Sequence, residues 1–135
     1  MNDLIIVTAG ILIRKGKVLV AKRPPQSHRG SLWEFPGGKL EAEEDPKACL
    51  KRELLEELDI EVSVRGILEV VYHRYERCPV LLLGYRCELE EGIPQTMQCP
   101  GYRWVGREEL KGLSMPEADW PIRDKLLKSR RLLVQ

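Results

Sequence analysis

Neither sign of charge is in excess in this chain: 22 basic side chains face 21 acidic ones over 135 residues, a formal net charge of +1. That balance excludes a generic nucleic-acid coat or a membrane-surface binder, both of which carry a basic surplus. Long hydrophobic runs are missing as well. The longest apolar stretches, Leu4–Val7 and Val80–Leu83, fall far short of the roughly 20 residues of a membrane helix. Met1 to Gly10 lacks the basic segment and long apolar core of a secretory signal. Cys49, Cys78, Cys87 and Cys99 form no C-x-x-C pair and no Cys/His array at zinc spacing. A disulfide framework is not expected, because a chain of this length builds a core without staples. These absences together point to a reduced, soluble, cytoplasmic protein.

What is present is enough for one core. Hydrophobic residues make up 43% and charged residues 32%, so disorder is excluded and a single domain over 1–135 is expected. Leu4 to Ile13 is rich in aliphatic and β-branched residues and predicts a strand. Lys15-Gly16-Lys17 reads as a tight turn and Val18–Ala21 as the returning strand. Pro24 to Gly30 is loop, Trp33 to Phe35 a short strand, and Pro36-Gly37-Gly38 should break regular structure. A helix follows over Asp45 to Leu58, with Asp45 as its cap and Pro46 at its first position. Val62–Tyr75 and Pro79–Glu88 read as strands around an Arg74-Tyr75-Glu76-Arg77 turn, and Glu90–Gly101 as loop. Tyr102–Val105 reads as a short strand, Arg107–Leu110 as a helical turn and Glu117–Leu133 as a C-terminal helix. Strands and helices mix without regular alternation, which predicts an α+β fold or mixed-sheet sandwich.

Charge is not evenly spread along this frame. On a wheel of about 100° per residue, Leu50, Leu54, Leu58, Leu55 and Ala48 form the apolar stripe of the predicted helix. Glu53, Glu56 and Glu57 fall together on the adjoining edge. Like charges at such spacings cost only about 0.2–0.5 kcal/mol per pair, so a solvated acidic face is one reading. A divalent-cation site is the other, since magnesium takes oxygen ligands from carboxylates and substrate phosphates. Gly37-Gly38 just upstream lets backbone approach closely.

The residues then reach a pattern. Gly38, five residues, Glu44, seven residues, Arg52-Glu53-Leu54, one residue, Glu56-Glu57, one residue and Asp59-Ile60 resemble the Nudix box of the Nudix hydrolases, G-x5-E-x7-R-E-U-x-E-E-x-G-U with U aliphatic. The final glycine is replaced by Asp59, which tolerates the left-handed conformation wanted there. Trp33 to Lys39, Val7 to Leu12 and Ala118-Asp119-Trp120-Pro121 are similar to segments of MutT-type members.

The resemblance implies an α/β/α sandwich around a mixed sheet and a nucleoside triphosphate pyrophosphohydrolase, releasing a monophosphate and diphosphate. It implies Mg2+, with Mn2+ as a substitute, on Glu53, Glu56, Glu57 and the Gly37 carbonyl. Glu53 or Glu44 would take the proton of water, and Arg52 would orient a glutamate. The late-loop position where many relatives carry a further glutamate is Gln98 here. Nucleotide contacts would come from Arg23, His28, Phe35, Gly38 and Asp119. For Arg23 and His28 an ordinary surface role stays open, for Phe35 a core role, and for Asp119 a helix N-cap. An ionised Asp119 would only accept hydrogen bonds, which fits guanine or 8-oxoguanine, or the amine of cytosine. The implied protein is a nucleotide-pool sanitising enzyme linked to DNA repair, acting on 8-oxo-dGTP or a related nucleotide. A CTP/dCTP pyrophosphohydrolase is the alternative, and a non-catalytic nucleotide-binding module a distant one. The expected partner is a single triphosphate, not a nucleic-acid polymer or membrane, and the expected state is monomer or homodimer.

Overall fold

The computed structural model describes residues 3–24 and 32–130. Seven strands form one sheet: β1 Ile5–Arg14, β2 Lys17–Lys22, β3 Trp33–Glu34, β4 Gly37–Lys39, β5 Glu61–Arg74, β6 Pro79–Glu91 and β7 Tyr102–Val105. The main path runs β3-β2-β1-β6-β5, with β4 paired to β1 and β7 to β2. β1 and β6 are parallel and the other pairs antiparallel, so the sheet is mixed. One edge of β1 is shared: Val7–Ala9 pair with β4 and Ile13–Arg14 with β2.

Alternation along the inner strands makes two cores. Ala9, Ile11, Val18 and Val20 face one side, while Leu12 and Leu19 face the other. Helix α1, Pro46–Leu58, covers the second side with Leu50, Leu54 and Leu58. A short helix α2, Arg107–Lys111, and helix α3, Trp120–Lys128, cover the first with Leu110, Ile122 and Leu126. The result is an α+β fold of α/β/α layers. Among the described residues no helix is long and apolar enough to cross a membrane, and all four cysteines are free.

The ends of α1 follow local chemistry. The Asp45 carboxylate accepts from the Ala48 N–H at 3.2 Å, with Pro46 at the first turn. At the other end Asp59 adopts φ 55° and ψ 42°, the left-handed cap foreseen for that position. Three expectations need correction. Pro36-Gly37-Gly38 does not break the sheet: Gly37–Lys39 is β4, because glycine lets the strand press on β1. Leu55 is 49% exposed and Ala48 is exposed, while Cys49 is buried; β4 covers the Cys49 side of α1, so the buried stripe shifts toward it. The predicted C-terminal helix is a 3-10 turn, Glu117–Asp119, followed by α3 ending at Lys128. Pro121 in the first turn of α3 sets the break between them. Residues 131–133 of that expectation lie outside the described residues.

Candidate active site

Two groups of polar side chains meet where β4 crosses in front of α1. The first is the acidic edge of the helix. Arg52 makes a fork to Glu44, Nε to Oε2 at 2.7 Å and Nη2 to Oε1 at 3.1 Å. Its Nη1 donates to Glu53 and Glu56, each at 3.1 Å. Glu44 also accepts from the Glu41 N–H at 3.1 Å. The guanidinium beside it holds the Glu44 carboxyl down at about 2. Burial pushes Glu53 up, against the pull of Arg52. Burial first, then the charges of Glu34, Glu53 and Glu56, push Glu57 up to about 8.

Glycine at 37 and 38 is required by close approach. A Cβ on Gly38 would lie 2.2 Å from the Glu53 carboxyl carbon, and one on Gly37 would lie 2.0 Å from the Thr8 carbonyl oxygen. The Thr8 hydroxyl donates to the Gly38 carbonyl at 3.2 Å. Backbone from the 95–98 loop docks on the end of α1: Gln95 N–H on Leu58 C=O, and Met97 and Gln98 N–H on Glu57 C=O. Gln98 therefore stands beside Glu57 through its main chain, with its side chain exposed.

The second group lines a cleft of about 520 Å³ that reaches from Gly37, Gly38 and Glu57 to Arg23, Glu34 and Asp119. Arg23 is brought to this cleft, with Nη1 donating to Glu34 at 2.7 Å. Phe35 lines it too but is 2% exposed and belongs to the core. Asp119 is 5% exposed and makes no side-chain capping bond to α3. Among the described residues its carboxyl has no hydrogen-bond partner. Burial, and then the charge of Glu34, raise its pKa well above the usual carboxylate range, against the pull of Arg23. That direction favours a protonated carboxyl, which both donates and accepts, over the ionised acceptor expected from the sequence. His28 lies outside the described residues. Trp120, 44% exposed, is not among the residues that line the cleft; its Nε1 donates to the Met115 carbonyl and Arg123 sits over its ring.

Sequence reading missed three residues that line the cleft: Glu34, Tyr75 and Arg77. Glu34 lies in a short extended segment whose side-chain direction no periodicity reveals. Tyr75 and Arg77 sit in the β5–β6 turn, which reads as a solvated hairpin end until the fold brings it against the 116–119 segment.

The model of the NUDIX domain family matches residues 8–125. The chain belongs to the Nudix family. Its relatives include a protein named CTP pyrophosphohydrolase from Escherichia coli strain K12, 33% identical over 127 residues, 94% of either chain. An 8-oxo-dGTP diphosphatase of Proteus vulgaris is 46% identical over 70 residues, 51% of this chain and 62% of that one. The solution structure of the E. coli ORF135 protein superposes with a TM-score of 0.80 at 32% identity, covering 96% of this chain and 93% of that one. This is a MutT-type Nudix hydrolase, and Nudix hydrolases generally need a divalent metal ion. The acidic edge suits one. Its donors are all oxygen, and its carboxylates raise one another's proton affinity, a penalty that a bound cation relieves. Among the described residues no three such side chains are already gathered at metal-holding distance, since Arg52 draws Glu53 and Glu56 onto itself.

Proposed function

We propose that this Nudix hydrolase cleaves single nucleoside triphosphates to monophosphate and diphosphate in the cytoplasm, with Asp119 choosing the base. The buried carboxyl of Asp119 in the cleft wall, with no protein hydrogen-bond partner among the described residues, carries the reading. A buried carboxyl that no protein group satisfies takes its partner from what enters the cleft, water or ligand. A neutral carboxyl needs a donor and an acceptor side by side on its ligand. 8-Oxoguanine offers N7–H beside O6, whereas guanine offers two acceptors there. Guanine's N1–H beside O6 would satisfy the carboxyl as well, so 8-oxo-dGTP is the first substrate for a base that presents its N7–O6 edge. Cytosine also presents a donor beside an acceptor, its amine next to N3. The E. coli relative named for CTP supports that second reading.

Glu53, Glu56 and Glu57, with the Gly37 carbonyl, are assigned to hold Mg2+. When bound, the ion neutralises phosphate charge and lowers the pKa of water. Arg52 keeps Glu53 and Glu56 on one side of the helix until phosphate arrives. Glu44 is assigned to anchoring Arg52 rather than to taking a proton, because both its oxygens are engaged. Glu53 is left to accept the proton of water as its oxygen adds to phosphorus and the bridging P–O bond breaks. Arg23, held by Glu34 at the cleft mouth, is placed to meet phosphate or sugar.

The test is the kcat/KM ranking of 8-oxo-dGTP, dGTP, dCTP and CTP in Mg2+. An unmatched pair at Asp119 should set dGTP below 8-oxo-dGTP by about ten- to a hundredfold. D119A should compress that ratio and D119N, which keeps a donor and an acceptor, should retain it. No turnover of any triphosphate would overturn the proposal. Equal ranking in wild type and D119A would remove Asp119 from it.

A further inference from the structure

The turn that carries Asp119 is short and leads straight into α3. It is a three-residue 3-10 turn, Glu117–Asp119, entered from Pro116 with no side-chain cap. Such turns leave their first N–H groups without helical partners. Asp119 N–H closes on the Pro116 carbonyl at 3.0 Å. The Ala118 N–H is satisfied from across the cleft instead, donating to the Tyr75 phenol oxygen at 2.8 Å. Tyr75 lies 43 residues away in sequence, at the end of the β5–β6 hairpin. It is fixed at both ends. Its own N–H donates to the Cys78 carbonyl at 3.2 Å, and its ring stands edge-on to His73 at 4.4 Å between centroids.

We propose that Tyr75 is a positioning residue for base selection: its phenol oxygen holds the Glu117–Asp119 turn so that Asp119 presents its carboxyl to the nucleobase. The inference rests on the reading of Asp119 as the base contact. Paired hydrogen bonds from a carboxyl demand placement to about 0.5 Å, and a single 3-10 turn does not supply that without an outside anchor. The tether ties together two segments that both line the cleft, one with Tyr75, Arg77 and Cys78 and the other with Pro116, Ala118 and Asp119. It acts one residue before Asp119, on the 116–119 segment rather than on α1, so its effect on base choice can be read apart from phosphate chemistry.

The variant Y75F keeps the ring and removes the oxygen. Base selection is read as the ratio of kcat/KM for 8-oxo-dGTP to that for dGTP, with dCTP and CTP alongside. A ratio taken within one protein is blind to a uniform loss of folded enzyme. Y75F should lower kcat/KM for the preferred nucleotide by about three- to tenfold, through KM with kcat held within about twofold. The selection ratio should shrink accordingly. In the D119A background Y75F should leave the ratio unchanged, since the positioned group is gone. A wild-type ratio in Y75F, while D119A loses it, overturns the role of Tyr75 and leaves that of Asp119 standing. An equal fall in kcat for every nucleotide also overturns it. A wild-type ratio in D119A removes the Asp119 reading and this inference with it.

Discussion

Arg52 serves three carboxylates at once, Glu44, Glu53 and Glu56, and this is the pivot of the site at the scale of residues. E53Q should lower turnover by about a hundredfold or more with unchanged circular dichroism. Wild-type rates would refute its assignment. Spacing alone made the glutamates readable, because residues three and four apart on a helix must share an edge. The protonation of Asp119 was not readable, because desolvation depends on what surrounds a carboxyl in space. It gives a signed prediction. The folded-state pKa of Asp119 lies above the unfolded value of about 3.9. The folded state then binds the extra proton, so this group's contribution to stability falls as pH rises from about 4 through the raised pKa. D119N cannot ionise. Denaturant midpoints of wild type and D119N should therefore diverge in favour of D119N as pH increases from 5 to 8, and parallel curves would contradict the neutral carboxyl.

Among the elements, the ends of α1 were legible because their signals are local: a cap, a proline in the first turn and a left-handed stop. D45A should destabilise the fold by about 1 kcal/mol in urea titrations. L54A, at a fully buried position between helix and sheet, should cost about 2–5 kcal/mol. β4 was not legible. Glycine has low strand propensity, and Gly37–Lys39 pairs with β1 only because Thr8 backbone lies where a side chain on residue 37 would be. The shift of buried surface on α1 from Leu55 to Cys49 has the same origin. A helical wheel counts residues on one element, while burial depends on the strand laid beside it.

In the whole molecule, the two cores described on opposite faces of the sheet are built of apolar side chains. A chelator should abolish triphosphate hydrolysis while leaving the thermal midpoint within a few degrees, and added Mg2+ should restore turnover. Collapse of the fold on chelation would contradict the placement of the cation site at the helix edge. The four free cysteines predict a melting temperature that does not move when a reductant is added. Burial pushes the Cys87 thiol up to about 12, so it should resist thiol reagents until the protein unfolds.

The helix with its acidic edge and the mixed-sheet α+β class were legible in the residues, and the spacing of the Nudix box carried the resemblance to the family. Each rests on periodicity, capping chemistry or fixed spacing, all of which act over a few residues. The even balance of 22 basic and 21 acidic groups said nothing of where they meet. Only the tertiary structure decided that Arg23 pairs with Glu34, that Asp119 is buried and without a partner, and that Tyr75 reaches the turn beside it. Those contacts join segments separated by 11 to 43 residues. Their energies depend on desolvation and on atomic placement, which chain order does not encode locally.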